Sequence, residues 1–239
     1  MDDMQAVILS GGLGTRLRSV DPTVPKTMVN VNGHPFLFHL IKMLKNRGIA
    51  RMVFLLAYKS EIVTRFLKSI SKSEHLSIDW SIEPSPMGTA GALKYAESLC
   101  DQKFLLINGD SYLDMNYEQL FSFYVNSGFK AVVTVYDNKM ATDVTNNVAV
   151  DGASRVISYD RKGSGLKYSY VDAGVVVMER ALISLIPEDK VCSIEEYMYA
   201  PLIKMEALGY FAVTDRFYDI GTPDRLREFE SVLRKMDHQ

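Results

Sequence analysis

Ser10-Gly11-Gly12-Leu13-Gly14-Thr15-Arg16 sets three glycines and a fixed cation directly after an apolar run, and a second cation, Lys26, stands ten residues further on. Glycine lets the backbone approach a polyanion closely and turn its N–H groups towards it. Arginine then neutralises phosphate through its planar fork, and lysine does so as a point charge. The combination predicts a nucleoside triphosphate cradle running through Leu9, Ser10, Gly11, Gly12, Gly14 and Thr15. Two commoner phosphate loops do not fit. A Walker loop ends in Gly-Lys-Ser/Thr, whereas here the last glycine precedes Thr15-Arg16. A dinucleotide fingerprint needs a third glycine where Leu17 stands. An ordinary strand-to-loop turn is the alternative that this stretch alone leaves open.

Three further positions offer chemistry. Asp110 follows Asn108-Gly109 at the end of an apolar run, and Asp219 precedes Ile220-Gly221-Thr222-Pro223. Two carboxylates at strand ends could hold one magnesium ion, a hard cation that prefers oxygen and bridges phosphates; turn caps are the alternative. Glu83 leads a loop into Gly88-Thr89-Ala90-Gly91. Its carboxylate can accept two donors at once. Guanine offers two adjacent donors and uracil one, so Glu83 leans towards guanine; a solvated loop acid is the alternative. Lys162, after Tyr159-Asp160-Arg161, could hold a second phosphate or simply sit in a turn.

Strands and helices must position these residues. Met4 to Leu9, Met52 to Ala57, Ile78 to Ile82, Phe104 to Ile107 and Ala131 to Tyr136 are apolar runs of strand length, as expected when both sheet faces are covered. Helical patterns separate them: one opened by Pro35 and ended by Gly48, one capped by Ser60 and running to about Ile70, one from Gly88 to Leu99, and one from Tyr117 to Val125. This alternation predicts a doubly wound, mostly parallel α/β sheet. Ligands of such sheets bind beyond the carboxyl ends of the strands, where Ser10, Glu83 and Asp110 fall. The loop from Ser10 to Asn32 is too long to be idle. After residue 137 short strands replace the alternation, at Val148–Val150, Val156–Tyr159 and Ser169–Met178. A helix over Ser193–Leu208, a strand at Tyr210–Val213 and a helix from Pro223 to Lys235 follow. The expected organisation is one domain over 1–239, with a nucleotide half (1–136) and a smaller added lobe (137–239).

Composition excludes other classes. Net charge is -2, so no global basic field recruits nucleic acid or a membrane surface. No apolar run reaches membrane-span length, the start is acidic, and two distant cysteines make no disulfide framework. A cytoplasmic protein is expected. The four histidines lack metal-ligand spacing.

These motifs, in this order, resemble the sugar-1-phosphate nucleotidyltransferases over nearly the whole chain. Gly11-Gly12-Leu13-Gly14-Thr15-Arg16-Leu17 with Pro25-Lys26 is similar to the family signature. Glu83 with Gly88-Thr89-Ala90-Gly91-Ala92 resembles its base-binding segment. Asn108-Gly109-Asp110 and Asp219-Ile220-Gly221-Thr222-Pro223 resemble the segments bearing its two metal aspartates. Asp172-Ala173-Gly174 resembles its Asn-Ala-Gly. The resemblance implies a three-layer Rossmann-like fold with a sugar-binding lobe. It also implies Mg2+, and a reaction in which a sugar 1-phosphate attacks a nucleoside triphosphate and pyrophosphate leaves. Carried over, Arg16 steadies the pyrophosphate, Lys26 bridges the reacting phosphates, and Asp110 and Asp219 hold the metal. Asn108 joins the nucleotide side, and Asn147, Arg161, Lys162, Asp172 and Gly174 take the sugar phosphate. Three departures fall around the sugar. Tyr159-Asp160-Arg161-Lys162-Gly163 stands for Phe-x-Glu-Lys-Pro, Asn146-Asn147-Val148 for Tyr-Gly-Val, and Asp172 for Asn. The short form, with Gly33-His34-Pro35-Phe36-Leu37 and Asn108-Gly109-Asp110-Ser111, looks most like the heptose 1-phosphate guanylyltransferases of surface polysaccharide pathways. A uridylyl-, cytidylyl- or thymidylyltransferase, or a non-catalytic homologue, stays open, as does a homo-oligomer.

Overall fold

A computed structural model describes residues 4–12, 14, 17, 20–139, 142–160, 168–188 and 190–236. Seven strands form the central sheet: β1 (Gln5–Leu9), β4 (Arg51–Leu56), β5 (Ser77–Ile82), β6 (Lys103–Asn108), β8 (Ala131–Tyr136), β11 (Val171–Glu179) and β12 (Leu208–Val213). Their spatial order is β12-β8-β11-β6-β1-β4-β5. All run parallel except β11, which lies antiparallel between β6 and β8. Strands β2 (Asn30–Val31) and β3 (His34–Pro35), β9 (Val148–Val150) and β10 (Val156–Tyr159), and β7 (Ser111–Tyr112) and β13 (Tyr218–Asp219) form three small antiparallel pairs.

Period-two alternation divides the core into two clusters. Ala6, Ile8, Leu105 and Ile107 face one side of the sheet, and Val7, Phe104 and Leu106 the other. On the first side lie α1 (Phe36–Asn46), α2 (Ser60–Glu74), α4 (Tyr117–Ser127) and α6 (Pro223–Met236); on the second lie α3 (Gly88–Tyr95) and α5 (Ala200–Lys204). The result is three layers. Helix α1 buries Phe36, Leu37, Leu40, Ile41, Met43 and Leu44, each worth roughly 1.5–3 kcal/mol of apolar transfer.

The chain winds from β1 outwards through β4 and β5, then crosses back to place β6 on the other side of β1. That reversal opens a crevice between the loops after β1 and β6. Both second-half strands, β11 and β12, enter the same sheet, so it runs unbroken across residue 137.

Three local expectations need correction. Ser60 does not cap α2: the capping position is Lys59, in the left-handed region (φ 52°), and no side chain caps it. Lys59 is held there by donating to the carbonyls of Pro22 and Thr23, at 2.9 and 2.7 Å. The helix opening at Gly88 ends at Tyr95, followed by a 3₁₀ turn over Glu97–Leu99. The segment Ser193–Leu208 is not one α-helix: a π turn over Glu195–Tyr199 precedes α5, and Leu208 already belongs to β12. Pro201 is the cause, because it has no N–H for the carbonyl four residues back and its ring crowds that carbonyl. Among the described residues no helix is long and apolar enough to cross a membrane.

Candidate active site

The register sets Leu9 beside Asn108 on one side and Leu55 on the other, so the loops after β1, β4 and β6 emerge side by side. The Ser10 amide donates to the Leu55 carbonyl at 2.9 Å and the Gly109 amide to the Leu9 carbonyl at 2.9 Å. Only glycine fits at 109: a Cβ there would stand 2.5 Å from the Leu9 carbonyl oxygen and 2.7 Å from Ser10 Oγ. This close approach delivers Asp110 to the mouth of β1.

A cavity of about 360 Å³ opens here, lined among others by Ser10, Gly11, Gly12, Lys26, Glu83 and Gly88. Among the described residues Ser10 Oγ and Thr27 Oγ1 are buried without a hydrogen-bond partner, and both residues line it. Buried hydroxyls in that condition suit a cavity made for a polar ligand. Glu83 stands against Gly11, where a Cβ would come within 3.1 Å of its Oε1. Its Oε2 accepts from the Met87 amide at 3.1 Å. Gly14, with φ 56°, lies against Lys26, where a Cβ would meet Lys26 Cβ at 2.7 Å.

Burial raises the Glu83 carboxyl above its ordinary value, and the Met87 amide opposes this less strongly. The charged form is thus favoured less in the folded chain than in the unfolded one. Stability from this group is fullest below the unfolded value and is lost as pH rises through the raised folded value. Glu83→Gln should therefore gain melting temperature relative to the wild type as pH rises above the ordinary carboxylate range. Paired thermal melts check this, and a difference that stays flat with pH contradicts it.

A second cavity, about 290 Å³, lies across β6 and β11 and is lined by Asn147, Tyr159, Asp172, Gly174, Tyr199 and Asp219 among others. The two share Leu9, Thr89, Asn108, Asp110 and Glu195. At that junction Lys26 Nζ pairs with Asp110 Oδ2 at 2.5 Å. Strands β7 and β13 pair Ser111 with Asp219, and the Ile220 amide donates to the Asp110 carbonyl at 3.1 Å. Two aspartates 109 positions apart in sequence (219 − 110) thereby become neighbours across a two-residue ladder. Arg225 grips the second: Nη1 donates to Asp219 Oδ2 at 3.1 Å while Nε donates to Asp143 at 2.9 Å.

A bulge in β11 between Asp172 and Val176 re-aims the strand beside the second cavity. Gly174 sits in it with φ 80°, and its amide donates to Asp172 Oδ1 at 2.8 Å. Burial, then Asp172, Tyr159 and Glu195, hold the Tyr199 phenol well above its ordinary value, so it remains neutral.

Thr89 has a structural duty, since its hydroxyl accepts from the Ile194 amide at 3.0 Å. The Cys192 amide bonds the Met87 carbonyl, and the Ala90 amide bonds the Cys192 carbonyl. This strap carries Glu195 to the junction of the cavities. Gly88, with φ 74°, permits it: a Cβ would lie 2.4 Å from the Cys192 carbonyl oxygen. Gly88→Ala should cost about 1–3 kcal/mol in strain alone, read as a lower denaturation midpoint; an unchanged midpoint contradicts the strap.

The structure thus places Asn108 and Asp110 at one junction, with Lys26 and Glu83 on one side and Asn147, Asp172, Gly174 and Asp219 on the other. Thr15, Arg16, Arg161 and Lys162 lie outside the described residues. Glu195, Thr27, Tyr199 and Arg225 escaped the motif reading. Arg225 alone had a local signal, standing three residues after Thr222. The others are set by packing between distant segments.

Known proteins resemble this chain over most of its length. Residues 5–235 match the model of the nucleotidyl transferase family. A D-glycero-alpha-D-manno-heptose 1-phosphate guanylyltransferase of Campylobacter jejuni is 30% identical over 95% of this chain and 98% of its own. A mannose-1-phosphate guanyltransferase of Saccharomyces cerevisiae is 30% identical over 92% of this chain and 62% of its own. The crystal structure of HddC from Yersinia pseudotuberculosis complexed with GMP-PN superposes with a TM-score of 0.78 at 28% identity, over 96% of this chain and 99% of that one. With the glycine loop, the crevice at the sheet reversal and the paired aspartates in place, the chain belongs to the nucleotidyl transferase family.

Proposed function

We propose that this chain joins GTP to a sugar 1-phosphate, with a heptose 1-phosphate as the first candidate, giving a GDP-sugar and pyrophosphate. One observation carries the reading. Asp110 stands where two cavities touch, paired with Lys26 on the side of one and beside Asp219 on the side of the other, and the cavities differ in kind. One has a glycine loop, unpartnered hydroxyls and Glu83, which suits a triphosphate and a base. The other has Asn147, Asp172, Glu195 and tyrosines, which suits a polyhydroxylated sugar. Residues 1–136 supply most of the nucleotide side, and 137–239 most of the sugar side.

An oxygen of the sugar phosphate attacks the α-phosphorus of the triphosphate, and the bond from that phosphorus to the departing pyrophosphate breaks. The chain's part is positioning and charge. Lys26 spans the reacting phosphates, and Arg16 steadies the leaving pyrophosphate. Lys162 and Arg161 hold the sugar phosphate.

Asp110 and Asp219 would hold a divalent cation, magnesium by its preference for carboxylate oxygen. The donors are of the right kind: among the described residues Asp110 Oδ1 accepts from the Ser111 hydroxyl at 3.4 Å, while Asp219 accepts from Arg225 Nη1 and the Gly221 amide, so a cation would share that carboxylate with Arg225. Among the described residues no cluster of three His, Cys, Asp or Glu forms a complete cage. Phosphate and water would complete the shell, as magnesium usually requires. Bound there, the cation supplies neutralisation of phosphate charge.

Guanine is supported by Glu83 and by relatives whose names specify guanylyl transfer. A matrix of the four nucleoside triphosphates against heptose, mannose and glucose 1-phosphates, read by pyrophosphate release, tests the whole. GTP with a heptose or mannose phosphate should give the highest kcat/KM. Turnover with UTP or CTP but not GTP overturns the base assignment. Glu83→Gln should lower kcat/KM for GTP by about tenfold or more, since a hydrogen bond to a charged group is replaced by a mismatched amide, while UTP suffers less.

A further inference from the structure

Asn147, Tyr159 and Asp172 come from three separate segments, and in the folded chain they bond in a closed ring. The Asp172 amide donates to Asn147 Oδ1 at 2.9 Å. Asn147 Nδ2 donates to the Tyr159 hydroxyl at 3.3 Å. That hydroxyl donates to Asp172 Oδ2 at 3.1 Å. Each bond fixes the next. The Asn147 amide has its oxygen and nitrogen committed to different partners, so its orientation is determined. The Tyr159 ring meets Tyr199 nearly edge-on, with centroids 5.2 Å apart. All four residues line the second cavity.

The departures at Asn147, Tyr159 and Asp172 are therefore joined in one feature, while Arg161 and Gly163 of the same pattern lie outside the described residues. Asn147 supplies a side chain where a glycine is usual, Tyr159 a hydroxyl where a phenylalanine is usual, and Asp172 a carboxylate where an amide is usual. Each is satisfied by another of the three. A carboxylate accepts hydrogen bonds and does not donate them, whereas an amide does both. Replacing the amide at 172 changes what this wall can recognise. Glu195 adds a second carboxylate to the same cavity.

We propose that Asn147, Tyr159 and Asp172 form a single specificity unit that selects sugar 1-phosphates presenting a hydroxyl donor to Asp172, with Tyr159 as the positioning residue that aims this carboxylate. Ligand groups that only accept, such as a carboxylate or an acetamido carbonyl, are rejected at that position because they offer no donor. The substrate class is a neutral, polyhydroxylated sugar 1-phosphate. This rests on the reading that the second cavity takes the sugar phosphate.

The test uses the full chain with saturating GTP and Mg2+, mannose 1-phosphate and its monodeoxy analogues, and the variants Tyr159→Phe, Asp172→Asn and their combination. In the wild type one deoxy position should lower kcat/KM by about ten- to hundredfold, as expected for a lost hydrogen bond to a charged group. In Asp172→Asn that discrimination should shrink to about threefold or less. Tyr159→Phe should raise KM for the sugar phosphate by about tenfold and leave KM for GTP within about twofold. The combined variant should be little worse than Asp172→Asn alone, because residues acting through one another are not additive. Strictly additive losses, or equal shifts in both KM values, overturn the unit. Deoxy discrimination unchanged in Asp172→Asn also overturns it. If the wild type uses no sugar 1-phosphate with any triphosphate, the proposed function itself fails, a result seen before any variant is made.

Discussion

Asp110→Asn lowers kcat by about 10²–10³-fold while the chain stays folded, on the scale of removing one preorganised electrostatic group from an active site. The amide keeps the shape of the side chain but withdraws its charge. Two consequences follow. Lys26, paired with Asp110 Oδ2 at 2.5 Å, loses the anion that fixes its ammonium at the junction of the two cavities. The proposed cation loses one of two protein carboxylates. Lys26→Ala should cost a similar factor, and the double variant should be far less impaired than the product of the two, because the groups act as a unit. Single-turnover pyrophosphate release measures the effect, and thermal melts show that the fold persists. A kcat for Asp110→Asn within about threefold of wild type would refute the electrostatic assignment.

Phe229→Ala destabilises the chain by about 3–5 kcal/mol, the range for emptying a buried aromatic site. Phe229 is fully buried. Its ring packs against Phe36 with centroids 5.2 Å apart, Tyr112 at 5.0 Å and Tyr218 at 6.0 Å. These neighbours explain why the effect reaches beyond stability. Tyr112 and Tyr218 are paired residues of the β7–β13 ladder, whose other pair is Ser111 with Asp219. Helix α6 therefore braces the ladder that brings the two aspartates together. At about 2–4 °C per kcal/mol for a chain of this size, the melting temperature should fall by roughly 6–20 °C. Below the new melting point, the Mg2+ concentration for half-maximal rate should rise. Phe229→Leu should recover most of both losses. A drop of less than about 2 °C would show that the site repacks without the ring.

Much of this protein was legible in its residues. Apolar runs of strand length with helical stripes between them predicted a mostly parallel sheet, because burial on two faces leaves a continuous apolar signature. Ser10, Gly11, Gly12, Glu83 and Asp110 were legible as residues lining one cavity because each follows such a run, and doubly wound sheets bind ligands there. Local chemistry also misled. Ser60 is a good capping residue by type, yet the carbonyls of Pro22 and Thr23, far away in sequence, hold Lys59 in the capping position instead. Pro201 sat inside an apparent helix and forced a π turn.

What the residues fixed by themselves was therefore the fold class and the chemical kind of the site, since hydrophobic period and glycine spacing are properties of neighbours along the chain. Only the tertiary structure decided which acids meet and what holds them. Strands β7 and β13 have two residues each, too few to show a period, and their pairing is what joins Asp110 to Asp219. The grip of Arg225 on Asp219 and Asp143, and the ring of Asn147, Tyr159 and Asp172, depend on the bulge in β11 and on loop closure across long sequence separations. Hydrogen bonds of that reach leave no mark in local pattern, because each partner looks by itself like an ordinary polar residue in a turn.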